Sequence, residues 1–274
     1  MEKIERNPVF MTWFLSLPTM LQGLLAGLLA LTPAAFGAAM VFPLHNLKQK
    51  YLDGCLGLAG GIMVAASFYS LLNPAFYHAQ DLGFTPIWPI VSGFLCGVLF
   101  LLLADRFLPT DGRKTKVAEA LRRCFGSNTL LYLAMTVHNI PEGLAIGVAV
   151  GAAADESTMA AALALALGIG IQNFPEGAAI SLPLRRDGLS PWRAFGFSQL
   201  SALAETIAAM IGAALTIFAR PLLPFVLSFA AGAMIFVVFA EIIPEAHING
   251  YKKTVSILAA AGFAVMMFFD LFFS

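Results

Sequence analysis

The chain has 274 residues, of which 59% are hydrophobic and only 12% charged, with a mean hydropathy of +0.82. A soluble domain carries about a quarter charged residues, so this composition excludes an ordinary soluble enzyme. Sixteen Lys and Arg balance sixteen Asp and Glu, which leaves no basic bias toward nucleic acid; the three cysteines, Cys55, Cys96 and Cys124, are too scattered for a disulfide framework or a thiolate zinc cluster.

The first residues mix Glu2 and Glu5 with Lys3 and Arg6, and the apolar stretch from Val9 to about Leu44 far exceeds a signal-peptide core. Residues 8–17, with Trp13 as anchor and Pro18 as a break, read as a short interfacial helix. Eight apolar windows follow, each with the ~20 residues needed to cross ~30 Å of hydrocarbon. They cover 19–42, 53–76, 86–109, 128–153, 158–183, 192–217, 222–246 and 254–273. The breaks between them include the whole stretch from Asn73 to Thr85, the short turn Asp155 to Ser157, and the polar loop 110–127, which is too small for a domain. The reading is an all-α polytopic membrane protein with one transmembrane domain over 1–274.

Short cytoplasmic loops hold the Lys and Arg excess of a membrane protein. With the N-terminus outside, the inner segments carry Lys48, Lys50, Arg106, Arg113, Lys114, Lys116, Arg122, Arg123, Arg185, Arg186, Arg193, Lys252 and Lys253. Only Lys3, Arg6 and Arg220 remain outside, so eight spans with both termini outside is the consistent solution, in a cell (inner) membrane. Small residues such as Gly54, Gly57, Gly60 and Gly61 recur within the spans and permit close helix approach in lipid.

The fourth window contains His138-Asn139-Ile140-Pro141-Glu142-Gly143, and the fifth contains Gln172-Asn173-Phe174-Pro175-Glu176-Gly177. Consecutive spans run antiparallel, so the two hexamers face each other and can build one site. In each, the first residue and the Glu lie at i and i+4 on one helical face. Proline lacks an N–H and displaces the carbonyl four residues back, here Val137 and Ile171. In a membrane interior such a carbonyl needs a partner, which a cation or a cavity water supplies.

A carboxylate at mid-span costs at least ~2.5–3.5 kcal/mol on insertion scales. Glu142 and Glu176 are joined at that depth by Glu205, and no Lys or Arg is near. Three acids and a histidine without basic partners point to a mobile cation or to shared protons. Imidazole with carboxylates, and a thioether such as that of Met63, suits zinc, iron, manganese or cadmium better than sodium or magnesium.

At these residues the chain resembles the ZIP (Zrt/Irt-like) family of divalent metal transporters, in its bacterial form. The resemblance implies two three-helix units, related by inverted symmetry, around a central helix pair. It implies one metal held by Met63, His138, Glu142, Gln172 and Glu176, and a second held by Asn139, Glu142, Asn173, Glu176 and Glu205, with both glutamates bridging. Glu241, in Glu241-Ile242-Ile243-Pro244-Glu245, then becomes a pathway ligand toward the cytoplasm, Asp105 an inner-side acid and Asp270 a residue near the outer entrance. Asn173 and Ala240 stand where some relatives have Asp and His, so the second site carries fewer charges. The expected partners are divalent metal ions and the lipid bilayer, with no catalytic cofactor and no nucleic acid; a homodimer is left open.

Each residue also has a plainer reading. Glu142 and Glu176 would be protonated and hydrogen-bonded within the bundle, His138 a satisfied core histidine, Glu205 a packing residue and Met63 a gap filler. His45, His78 and His247 fall at span ends or loops and read as solvated. Among functions, the rival is an intramembrane zinc-dependent hydrolase, but the H-E-x-x-H helix signature of such enzymes is absent. A metal sensor or structural membrane protein is the other. Uptake into the cytoplasm by alternating access is the favoured reading.

Overall fold

A computed structural model describes residues 8–43, 49–107, 129–186 and 188–273. The loop 110–127, His45 and Cys124 lie outside the described residues. All described regular elements are helical: α1 (Pro8–Leu15), α2 (Thr19–Ala39), α3 (Gln49–Asp81), α4 (Ile87–Phe107), α5 (Thr129–Ala152), α6 (Glu156–Arg186), α7 (Pro191–Phe218), α8 (Arg220–Ile248) and α9 (Lys252–Phe273). The eight helices α2 to α9 are long and apolar enough to cross a membrane, so the chain is a multi-pass membrane protein.

Local chemistry explains where the helices begin and break. Pro18 separates α1 from α2, and the carbonyls it strands are covered from inside α2: the Gln22 amide donates to Phe14 O (2.9 Å) and Leu15 O (3.2 Å). Asp155 caps α6 reciprocally with Thr158. The Thr158 N–H donates to Asp155 Oδ1 (2.9 Å) and the Asp155 N–H donates to Thr158 Oγ1 (3.1 Å). The Thr158 N–H, with the Ser157 and Thr158 hydroxyls, holds the Asp155 carboxyl down at about 2, so the cap is intact above the ordinary aspartate range and is lost as pH falls through about 2.

The stretch from Asn73 onward corrects the expected break. Helix α3 continues to Asp81 because it widens into a π-helical turn at Ser67–Leu72 and resumes at Asn73–Asp81. Pro74 falls in the first turn of the resumed segment, where its missing N–H and its ring are tolerated. Helix α8 repeats the device, with a widened turn at Val238–Ile242 followed by Pro244.

Packing divides the spans into two groups. Helices α2, α5, α6 and α7 pack together through α2 with α6, α2 with α7, and α5 with α7; outside them, α3 packs on α9 and α4 on α8. The groups meet chiefly where α5 touches α8 and α3 touches α6. This pattern is unchanged if α2 is exchanged with α7, α3 with α8, α4 with α9, and α5 with α6. The partners in each exchange run in opposite directions, so the relation is a pseudo-two-fold axis in the membrane plane.

Glycine contacts show that the relation holds residue by residue. A Cβ on Gly61 would collide with the Ala259 carbonyl and one on Gly262 with the Leu58 carbonyl; in the related pair, Gly232 meets the Phe94 carbonyl and Gly97 the Phe229 carbonyl. Leu58 precedes Gly61 by the same interval as Phe229 precedes Gly232. The motif glycines obey it too, Gly143 lying against the Glu205 carbonyl and Gly177 against the Ala34 carbonyl. In lipid, where apolar surface gives no net drive to associate, such backbone approach is a principal source of helix adhesion.

Replacement of Gly262 by Val should therefore part α3 from α9 and destabilise the protein by at least about 1–3 kcal/mol, read as a fall in the thermal unfolding midpoint in detergent. Gly196, whose added Cβ would meet nothing within 4 Å, should accept Ala with no loss, or a gain of up to about 1 kcal/mol. Equal losses for the two would refute the glycine–carbonyl account.

Candidate metal centre

Helices α5 and α6 run unbroken through Pro141 and Pro175, so both hexamers project from continuous helical faces. His138, Asn139, Glu142, Gln172, Asn173 and Glu176 are all buried, as are Glu205 on α7 and Met63 on α3. Glu241 sits in the widened turn of α8 with its side chain 22% exposed. All members of the two expected metal sites are thus buried, and Glu241 is partly exposed.

The polar side chains meet mainly in pairs, across helices. Gln172 Nε2 donates to Glu142 Oε1 at 2.8 Å, joining the two hexamers. Asn173 Nδ2 donates to Glu205 Oε2 at 2.6 Å. His138 Nε2 lies 3.1 Å from Glu241 Oε1, a contact between α5 and α8 that links the two helix groups. The motif asparagines also hold backbone: Asn139 Nδ2 donates to Ser201 O (3.0 Å) and Asn173 Nδ2 to Ala30 O (3.5 Å), positions that the pseudo-two-fold interchanges.

On four of these side chains a second polar atom is left unmet. His138 Nδ1, Glu142 Oε2, Gln172 Oε1 and Glu205 Oε1 are buried and have no hydrogen-bond partner among the described residues. Buried polar atoms are nearly always partnered; four exceptions within the one predicted constellation are acceptor-capable atoms of the kinds that ligate transition metals. Beside them a cavity of about 10 Å³ is lined by Asn139, Asn173, Glu176, Ser198, Glu205 and backbone neighbours, space for one water or one bare ion. Among the described residues no three His, Cys, Asp or Glu side chains converge into a ready cage. Glu142 and Glu205 are held instead by the amides of Gln172 and Asn173.

Other predicted residues fall away from this centre. Asp270 accepts a hydrogen bond from Ser70 Oγ (3.0 Å) and, with Asn73, His78 and Thr158, lines a cleft of about 180 Å³ at the face where the chain ends. Asp105 lies in the last turns of α4, and His247 in α8, its ring Nδ1 2.7 Å from Ile243 O.

Sequence reasoning missed three supporting features. Ser201 Oγ accepts from Thr136 Oγ1 (3.0 Å) beside Asn139, and Ser198 Oγ donates to Gly177 O (3.1 Å), tying α7 to both hexamers. Asp53 is fully buried near the opposite membrane face. Its Oδ1 accepts from Gln49 Nε2 (2.9 Å) and Asn249 Nδ2 (3.2 Å), and its Oδ2 has no partner among the described residues. A lone acid opening a glycine-rich span was the available signal for Asp53; for the serines there was none beyond their place in an apolar helix.

Comparison with known proteins gives a consistent answer. The family model described as ZIP Zinc transporter matches residues 110–270. Zinc transporter ZIP11 of Homo sapiens is 35% identical, over 86% of this chain and 92% of its own length. Zinc transporter GufA of Myxococcus xanthus is 34% identical over 91% and 98%, and Zinc transporter ZIPB of Bordetella bronchiseptica is 37% identical over 90% and 79%.

Replacing Asn173 by Asp sets two carboxylates where an amide now donates to Glu205. Loss of that charged hydrogen bond should cost about 1.5–3 kcal/mol in metal-free protein, and a divalent ion should restore more than it does in the native chain. Thermal unfolding with chelator and with zinc tests this: a zinc-induced rise no larger than the native one would show that residues 173 and 205 do not share an ion.

Proposed function

The chain belongs to the ZIP zinc transporter family, and on that premise we propose that it carries zinc into the cytoplasm by alternating access through the centre on α5 and α6. It is a membrane transporter and not an enzyme, as its relatives are named zinc transporters. The observation that carries the reading is the set of four unpartnered buried donor atoms on His138, Glu142, Gln172 and Glu205. The described Lys and Arg all lie at helix ends, so no fixed cation neutralises the centre.

Two sites are proposed, as before. Met63, His138, Glu142, Gln172 and Glu176 form the stronger, because it alone has an imidazole and a thioether. Asn139, Glu142, Asn173, Glu176 and Glu205 form the weaker, at the small cavity. The donor set admits cadmium, iron and manganese as well as zinc. Glu241, paired with His138 across the two helix groups, is the first acceptor on the way out, and Asp105 and Asp270 belong to the inner and outer ends of the route. The described loop-face cations, Lys50, Arg106, Arg185, Arg186, Arg193, Lys252 and Lys253, against Arg220 alone on the other face, support termini outside in a cell (inner) membrane. The four-helix group bearing α5 and α6 is the moving body, sliding against α3, α4, α8 and α9.

Vesicles containing the purified chain and loaded with a zinc-sensing dye should report zinc influx that Glu176→Ala reduces at least tenfold. Protons compete for the same carboxylates, so influx should fall as the outside is taken from pH 7.5 to 5.5. Equal influx with Glu176→Ala would refute the site, and no influx with the intact chain would refute the function.

A further inference from the structure

The pseudo-two-fold that relates the helix groups acts on the donor set in an unequal way. His138 exchanges with Gln172 and Glu142 with Glu176, so these four donors map onto themselves. Met63 is the one member of the stronger site that leaves the set. It lies two positions after Gly61, and the residue two positions after the related Gly232 is Met234. Both thioethers are 1% exposed and belong to one apolar cluster with Ile146 of α5 and Ile169 of α6. Met63 is on α3, which packs on α6; Met234 is on α8, which packs on α5.

From this we infer that Met234 is a second thioether ligand, taking over from Met63 when the transporter faces the other way. An inverted pair of repeats can exchange conformations, and the arrangement on one side then reappears on the other. In that exchange α8 acquires toward the hexamers the position α3 now holds, and Met234 completes the same four donors. Several residues match across the relation, Leu56 with Leu227, Ala59 with Ala230 and Phe68 with Phe239 among them, and the methionine pair is the match whose side chain offers a metal donor; Ser70 corresponds instead to Glu241 and Ala66 to Val237. A thioether is soft and uncharged, and lends affinity for zinc or cadmium without adding a charge that would hold the ion.

The inference rests on the transport reading above, and its test separates the two. Right-side-out and inverted membrane vesicles from an expressing cell present opposite faces of the transporter to the bath. Cadmium probes the soft ligand, manganese the oxygen donors. Met63→Leu should raise the KM for cadmium about tenfold in one vesicle type, and Met234→Leu in the other, with the KM for manganese within twofold throughout. Leu conserves volume, so packing should survive; Met234→Cys keeps a sulfur and should keep the cadmium KM. If Met234→Leu leaves the cadmium KM unchanged in both vesicle types, or slows cadmium and manganese alike, or is not distinguished from Met234→Cys, Met234 is a packing residue and the inference fails. If the native chain moves no metal in either vesicle type, the transport reading fails instead.

Discussion

Burial of acidic side chains in a membrane interior that has no fixed cation governs this structure. Charged groups taken out of water must be paired, protonated or metal-bound, and the helix ends hold all the described Lys and Arg. Glu142 and Glu205 are therefore held by amides: Gln172 donates to Glu142 and Asn173 to Glu205. An amide satisfies one oxygen and adds no charge. The other oxygen of Glu142 and of Glu205 stays unmet, and the centre remains receptive to a cation that the protein does not itself supply.

The scaffold that holds these groups is symmetric, whereas its chemistry is not. Gly143 and Gly177 are pressed against backbone carbonyls at related positions, but those carbonyls belong to Glu205 in one case and Ala34 in the other. The same helix contact thus brings a carboxylate to one half and a methyl group to its mate. His138 and Gln172 differ likewise, as do Glu241 and Ser70. Backbone packing follows the repeat because glycine–carbonyl approach tolerates no side chain; the candidate ligands are free to diverge because the scaffold does not depend on them.

This division also explains what could be read in advance. All eight spans were legible because each needs a long apolar run, and the paired hexamers because proline, glycine and acid at fixed spacing have no use as lipid-facing surface. The inverted units, implied by family resemblance, appear in the glycine contacts. The continuation of α3 to Asp81 was not legible, since Asn73-Pro74 ordinarily reads as a break and only the widened turn ahead of it makes the proline acceptable. The His138–Glu241 contact was not legible either: it joins residues remote in sequence, on α5 and α8, whose approach depends on how two helix groups meet. Nor could composition reveal that Asn139 and Asn173 spend their amides on the backbone of the flanking helices.

A transported ion must be bound firmly enough to leave water and loosely enough to leave the protein. A closed cage of three or four acids would meet the first demand and defeat the second. Here the acids are interleaved with Gln172, Asn139 and Asn173, and the histidine leans on Glu241 of the opposing helix group. On the proposed function, an ion ligated by His138 would compete with this contact between the helix groups, so that site occupancy and helix-group adhesion would draw on the same atoms. A ligand shifts a conformational equilibrium only through contacts that differ between states. In the proposed mechanism the His138–Glu241 pair would be such a contact, tying the chemistry of the centre to the sliding of the two helix groups.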